Sequence, residues 1–369
     1  MKALNKFVCN KNSIIIFIVT IILCVFGMIM VFSASSYNAL NLYGSSTYFL
    51  NKQIIGFLLG LVAMLVMANI NYKILAKFYI PALILGIVLL VVVLIPGVGI
   101  SNYGARRWIG FGPFSFQASE VAKFCFILFC AGYMTKNATK MTTFKGSLPV
   151  LLAGTVMCVL IMLEPNMSVT ICVGVVMLTM LLIGGMQIKH LAFLSVPIAA
   201  AIPALILLEP YRLKRLFAFI DPWANPQGEG FQLIQSLYAL GAGGLFGTGL
   251  FNSRQKYAFL PFSESDFIFS IIGEELGFVG AILVLALFGV VIYFGFKVAI
   301  NAKDRFGCYL GIGITSILAV QVLLNVAVVT GAVPPTGLPL PFISAGSTSL
   351  VVFMAAIGVL LNISKQSRV

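Results

Sequence analysis

Three groups of charged residues stand where an apolar chain should not carry them. In the stretch Phe259 to Gly280, FLPFSESDFIFSIIGEELGFVG, Glu264, Asp266 and the pair Glu274/Glu275 crowd the start of a hydrophobic segment. Charge at membrane depth is expensive and generally functional. An aspartate with an ordinary pKa near ~3.9 is ionised at neutral pH, so Asp266 is able to take a proton as a general base. Its place before the segment suits an N-cap equally well. The second group is Arg106-Arg107 in Gly104-Ala105-Arg106-Arg107-Trp108. Arginine grips phosphate oxygens bidentately, which would make a phosphate clamp. A tryptophan beside arginines is also an interfacial anchor, and both readings stand. The third group is Glu120 and Lys123, three residues apart on one helix face. A structural ion pair and a cavity-lining pair fit them equally.

The composition says what surrounds these groups. Of 369 residues 60% are hydrophobic and 9% charged, with a mean hydropathy of +1.08. Soluble domains carry roughly 25% charged residues, so the chain reads as an all-α polytopic membrane protein. The net charge of +13 is scattered through short inter-helix loops, which is a topology signal rather than a nucleic-acid surface. The seven cysteines lie mostly inside apolar runs and form no CxxC. They offer neither a disulfide framework nor a metal site. One histidine, His190, leaves histidine triads and paired-histidine zinc sites without partners.

Apolar runs of membrane length, roughly 20 residues each, begin with Ser13–Val31. That run is too long for a typical signal peptide, although Ser33-Ala34-Ser35 looks cleavable. Further runs fall near 53–70, 75–96, 117–134, 147–163, 167–186, 190–208, 267–298, 308–330 and 342–363. These predict ten transmembrane helices in a single transmembrane domain over 1–369. Lys2, Lys6, Lys11, Lys73, Lys77, Lys136, Lys140, Lys145, Lys189, Lys297, Lys303, Arg305, Lys365 and Arg368 all fall on one side of that arrangement. The asymmetry puts both termini in the cytoplasm. One large extracellular loop, 209–265, joins helices 7 and 8. It opens with Leu213, Leu216, Phe217 and Ile220 at helical spacing and Arg212, Lys214 and Arg215 between them, a basic amphipathic helix for the headgroup region. Gln232 and Gln235 follow, then a glycine run, Gly241 to Gly249, that lacks the GK[ST] of a phosphate loop and reads as a close-packed turn. Glu164-Pro165-Asn166 is a turn between spans five and six. Val333 to Pro341 holds too many prolines for a helix and reads as an irregular outer segment buried against protein.

In order along the chain stand Gly104-Ala105-Arg106-Arg107-Trp108-Ile109, Gln117-Ala118-Ser119-Glu120, Asp221-Pro222-Trp223, Ser253-Arg254-Gln255-Lys256, Asp266-Phe267-Ile268-Phe269, Gly273-Glu274-Glu275-Leu276-Gly277 and Pro335-Thr336-Gly337-Leu338-Pro339-Leu340-Pro341. With these motifs the chain resembles, end to end, the SEDS proteins (shape, elongation, division and sporulation), which include FtsW, RodA and SpoVE. Asp221-Pro222-Trp223 and the Ser253–Lys256 portion look closest to the FtsW/SpoVE branch. The resemblance implies a ten-helix peptidoglycan glycosyltransferase of the bacterial cytoplasmic membrane. Such enzymes polymerise lipid II at the outer face with release of undecaprenyl pyrophosphate, and work with a class B penicillin-binding protein among divisome or sporulation proteins. It places the family's essential aspartate on Asp266, its loop arginines on Arg106 and Arg107, and its fourth-helix lysine on Lys123. Glu120, Arg212, Arg215 and Gln235 complete the candidate substrate-binding set. A lipid II flippase and a non-catalytic scaffold for a penicillin-binding protein are the rival readings. No cofactor is assigned; a divalent cation, Mg or Mn, stays open.

The chain departs from the family pattern at several positions. Ala118 stands where the family usually has proline, and Asn166 where it has aspartate, which weakens a cation site at that turn. The stretch before Asp266 reads Leu260-Pro261-Phe262-Ser263-Glu264-Ser265, and Ser344-Ala345-Gly346-Ser347-Thr348-Ser349 replaces a Ser-x-Gly-Gly-Ser-Ser run. A cysteine placed at Gln227 is expected to label from outside intact cells with a membrane-impermeant reagent. Labelling only after lysis would overturn the topology.

Overall fold

The protein is described by a computed structural model that covers residues 10–102, 105–111, 114–190, 192–193 and 210–367. Its helices, in chain order, are α1 (Lys11–Tyr43), α2 (Tyr48–Asn69), α3 (Tyr79–Leu94), α4 (Ala118–Lys136), α5 (Phe144–Leu163), α6 (Met167–Ile183), α7 (Pro210–Ile220), α8 (Phe231–Gly243), α9 (Ile268–Ile300), α10 (Arg305–Val329) and α11 (Ser347–Gln366). Seven of these (α1, α2, α4, α5, α9, α10 and α11) are long and apolar enough to cross a membrane, and α3 and α6 are shorter apolar helices. The span expected near 190–208 lies outside the described residues.

The chain turns the usual soluble pattern inside out. On α1, Ile14, Ile18, Ile22, Val25 and Ile29 recur at helical spacing and are exposed. Exposed isoleucines in such a stripe face hydrocarbon. The polar residues are the ones inside: Ser33, Gln53, Glu120, Lys123, Glu274, Glu275, Gln321 and Asn325 are all buried. Lipid offers no hydrogen bonds, so polar groups at membrane depth must find partners within the protein. Ser33, Ala34 and Ser35 are buried in the middle of α1.

Small residues bring the helices close. α2 packs along α11, where a Cβ added at Gly358 would stand 2.3 Å from the Met64 carbonyl oxygen. At their far end Asn362 donates to the Ala68 carbonyl at 2.8 Å and accepts the Tyr72 N–H at 3.0 Å. The Tyr72 hydroxyl donates to Asp304 at 2.7 Å, tying in the start of α10.

Two expectations need correction. The fold is not wholly α-helical: β1 (Gly99–Asn102), β2 (Ala105–Phe111) and β3 (Phe114–Gln117) form an antiparallel sheet in the order β1-β2-β3. Trp108 pairs with Ile100 on one side and Gln117 on the other. Such a ladder satisfies the backbone of a connection that packs against apolar helices. The stretch expected as one loop over 209–265 is also partly helical. The amphipathic helix expected there is α7, ended at Asp221, whose side chain accepts the Trp223 N–H at 3.1 Å, and a second helix, α8, adds to it where the sequence pattern predicts loop.

α9 is broken near its start. Gly277 adopts φ 69°, ψ −169°, a conformation that glycine tolerates and side chains do not. The backbone groups freed there are taken up by the glycine run. Phe278 N–H donates to the Gly244 carbonyl at 2.9 Å and Val279 N–H to the Leu245 carbonyl at 3.1 Å. Glu274 and Glu275 hold the same strap. Glu274 accepts the Arg254 N–H at 2.8 Å, and Glu275 accepts from the Ser33 hydroxyl at 2.6 Å and from Lys256 at 3.1 Å. These two carboxylates are therefore a clasp between α1, α9 and residues 244–256, not members of a cavity.

Replacing Gly358 with valine is expected to destabilise the fold by about 1–3 kcal/mol through overpacking against α2. A lowered melting temperature in detergent is the measurement; an unchanged one would show that α2 and α11 yield freely.

Candidate active site

A cavity of about 400 Å³ is lined by Asp266 and by residues from β2, the starts of α4, α6 and α11, α7, and the proline-rich segment between α10 and α11. Asp266 stands just before α9. The capping position of that helix is Phe267, and no side chain caps it, so the N-cap role open to Asp266 is not realised. Its carboxylate faces the cavity instead.

The cavity's cations come from two elements. β2 bulges at Arg107: Trp108 pairs with Ile100 and Arg106 with Ser101, so Arg107 has no partner on β1, and such a bulge re-aims the side chain it carries. Arg107 lines the cavity, donates through Nε to the Glu164 carbonyl at 3.1 Å and also donates to the Pro165 carbonyl. Arg106 is exposed and does not line the cavity. From α7, Arg215 donates to the Pro335 carbonyl at 2.9 Å and lines the same space. Burial pushes the Asp266 carboxyl up from its ordinary 3.8 to about 6. Arg107 and Arg215 pull it down, and Glu264 pushes it further up. The desolvation cost exceeds what the two arginines return, yet the group stays mostly ionised at neutral pH.

The remaining predicted residues divide. Glu120 lines the cavity. Lys123 does not: it is buried behind Glu120, bonded to it at 2.7 Å and to Gln321 Oε1 at 2.7 Å, with the Phe353 ring 5.4 Å away. The ion pair and the cavity lining, weighed as alternatives, are shared between the two partners. Gln235 on α8 is half-buried and away from the cavity, whereas Gln232, one turn earlier, lines it. Arg212 falls on α7, and its side chain lies outside the described residues.

Sequence reading missed the residues that hold Asp266 in place. On α10, Asn325 donates to the Asp266 carbonyl at 2.9 Å and to the Leu338 carbonyl at 2.6 Å. The Ser344 hydroxyl donates to the Ser265 carbonyl at 2.6 Å and accepts the Leu340 N–H at 2.7 Å. A Cβ at Gly337 would stand 2.7 Å from Asp266 Oδ2, so any side chain there would displace the carboxylate from its present position. The available signal was polar amides inside an apolar run, Gln321 and Asn325 at helical spacing.

Glu164 is fully buried, and neither carboxylate oxygen has a hydrogen-bond partner among the described residues. Burial pushes its carboxyl up to about 8, against the pull of Arg107. It is therefore mostly protonated at neutral pH. Among the described residues no group of three or more His, Cys, Asp or Glu side chains converges.

The family model of FtsW/RodA/SpoVE cell cycle proteins matches residues 13–369. The chain is 41% identical to stage V sporulation protein E of Bacillus subtilis, over 97% of this chain and 98% of that one. It is 38% identical to a probable peptidoglycan glycosyltransferase FtsW of Trichlorobacter lovleyi, over 96% and 93%. Its fold matches a chain of a peptidoglycan synthase complex with a TM-score of 0.77 at 26% identity, covering 95% and 96%. It also matches the fold of the rod shape determining protein RodA of Thermus thermophilus with a TM-score of 0.70 at 23% identity, covering 96% and 97%.

A carboxyl raised by burial stores a penalty while ionised. The folded group holds its proton more tightly than the unfolded one, so the fold gains stability as pH falls through about 6 toward 3.8. Between those values the penalty at high pH is at most about 3 kcal/mol. Asp266→Asn is expected to melt above the parent protein at pH 8 in detergent, with the difference vanishing below about pH 4. Equal melting at pH 8 would mean that water or a partner relieves the charge.

Proposed function

The chain belongs to the FtsW/RodA/SpoVE family of cell cycle proteins, and from that membership we propose that it is a peptidoglycan glycosyltransferase, a multi-pass protein of the bacterial cytoplasmic membrane that polymerises lipid II. The observation that carries the reading is a single cavity holding Asp266 between Arg107 and Arg215. Asp266 accepts the proton of the acceptor sugar hydroxyl as its oxygen attacks the anomeric carbon of the donor. The bond from that carbon to the pyrophosphate oxygen breaks, with inversion. Undecaprenyl pyrophosphate leaves as an anion and needs no carboxylic acid to protonate it. The guanidinium groups of Arg107 and Arg215 stabilise the charge that develops on it. Glu120 lies on the same wall and contacts the sugar portion, since a carboxylate beside pyrophosphate would repel it.

Ten spans, both termini in the cytoplasm and the 209–265 region outside fit this chemistry. The lysine distribution supports that topology, with one span between α6 and α7. A class B penicillin-binding protein is the expected partner, supported by the likeness to a chain of a peptidoglycan synthase complex.

Polymerisation of lipid II in detergent, with the penicillin-binding partner supplied, separates a polymerase from a flippase. The parent protein is expected to make glycan, and Asp266→Asn to fall by roughly 10²–10⁴-fold, the usual contribution of a general base. A base must be deprotonated, so the parent's rate is expected to rise with pH through a midpoint near 6 and level off above it. Polymer from Asp266→Asn at the parent rate would sink Asp266 as the base, and none from either protein would favour transport.

The sheet also separates the two arginines in function. Arg107→Lys, which keeps charge but loses the fork, is expected to lose about 10²-fold. Arg106→Lys on the exposed face is expected to stay within about threefold. Equal losses would place both in the site.

A further inference from the structure

Some of the best-buried polar groups of the transmembrane body do not line the cavity, yet their hydrogen bonds run toward it. Gln321 and Asn325 lie one turn apart on α10, 0% and 1% exposed. Their partners fix the orientation of both amides. Lys123 can only donate, so the Gln321 atom facing it at 2.7 Å is the oxygen. The nitrogen then points the other way and donates to the Pro339 carbonyl at 2.9 Å. Asn325 Nδ2 lies between two carbonyls, those of Asp266 and Leu338. A flipped amide would set oxygen against oxygen at both.

The segment these amides hold is anchored by the buried side chains of Leu338 and Leu340 and by bonds from Arg215 to Pro335 and between Ser344 and Leu340, while its own backbone offers little regular pairing. Prolines at 334, 335, 339 and 341 lack N–H groups and cannot form a regular ladder. It nevertheless lies against Asp266 so closely that a Cβ at position 337 would stand 2.7 Å from Asp266 Oδ2 and push the carboxylate aside. We propose that Asn325 and Gln321 are positioning residues that lock the proline segment and the Asp266 main chain together, and that Lys123 works by fixing Gln321 rather than by meeting substrate. Glu120, Lys123, Gln321 and Pro339 form one tether, and Leu338, Asn325 and Asp266 the next, so the cavity wall at Glu120 is in register with the base. A misplacement of about 1 Å can cost on the order of 10²-fold in rate, and tethers of this kind prevent it.

The kinetic consequence rests on Asp266 being the base of the proposed polymerase; the tether itself does not. The test therefore uses two readouts on the full-length protein in detergent. Asn325→Leu is expected to raise amide hydrogen exchange in residues 264–268 and 336–340, with the rest of α10 unchanged. In lipid II polymerisation with the partner supplied, its kcat is expected to fall about 10–10²-fold while KM stays close to the parent's. Should Asn325→Leu fail to fold, the near-isosteric Gln321→Met carries the same expectation at 336–340. Lys123→Met combined with Gln321→Met is expected to lose no more than the worse single variant, because both act on one tether. Parent-like exchange in both segments would overturn the tether whether or not any polymer is made. Multiplying losses from Lys123→Met and Gln321→Met, with a raised KM, would return Lys123 to the substrate. Raised exchange in a protein whose parent form makes no polymer would uphold the tether and sink the polymerase.

Discussion

The carboxylate of Asp266 sits beside two arginines at the edge of a body built from hydrocarbon, and the cost of keeping it ionised there governs its surroundings. Water would hold the charge without help. Where water is scarce, the protein must supply dipoles and cations at fixed distances, and anything that fixes them must itself be satisfied. Arg107 and Arg215 are held through backbone carbonyls of the Glu164-Pro165 turn and of Pro335. The turn, the sheet and the proline segment are thus parts of one electrostatic arrangement. Because burial outweighs the arginines, the group rests near 6. That value suits a base, which must be ionised at working pH yet still attract a proton.

The same rule explains why polar residues deep in the helices come in groups. Lys123 takes both Glu120 and Gln321, and Lys256 takes both Glu275 and the Phe251 carbonyl. A buried ion pair is weak evidence for net stability, but removing one partner strands the other at a cost of about 3–5 kcal/mol. Each group therefore acts as a fixed joint. Around Glu274 and Glu275 the joint fastens the strap over residues 244–256 to the break at Gly277 and to Ser33 of α1. From that strap the chain runs through Leu260, buried in the core, into Asp266. The clasp thus anchors the chain that leads into Asp266, and the α10 amide of Asn325 holds its carbonyl.

The sequence by itself determined the class, the seven helices long and apolar enough to cross a membrane, and the type of chemistry. Lipid permits little choice, so long apolar runs, scattered lysines and a handful of intramembrane charges speak plainly. Asp266, Arg107, Glu120 and Arg215 were singled out by charge alone. The tertiary structure decided which charges share a space. Adjacency in sequence suggests that Arg106 and Arg107 act together, and a β-bulge at Arg107 leaves only that one lining the cavity. Glu274 and Glu275 crowd the same stretch as Asp266 in sequence, and contacts with Ser33, Arg254 and Lys256 commit them to the strap instead. Lys123 looked like a cation for substrate, and burial commits it to Glu120 and Gln321. Each outcome depends on contacts between residues far apart in the chain, as with Asn325 and Asp266, whose proximity no local pattern records.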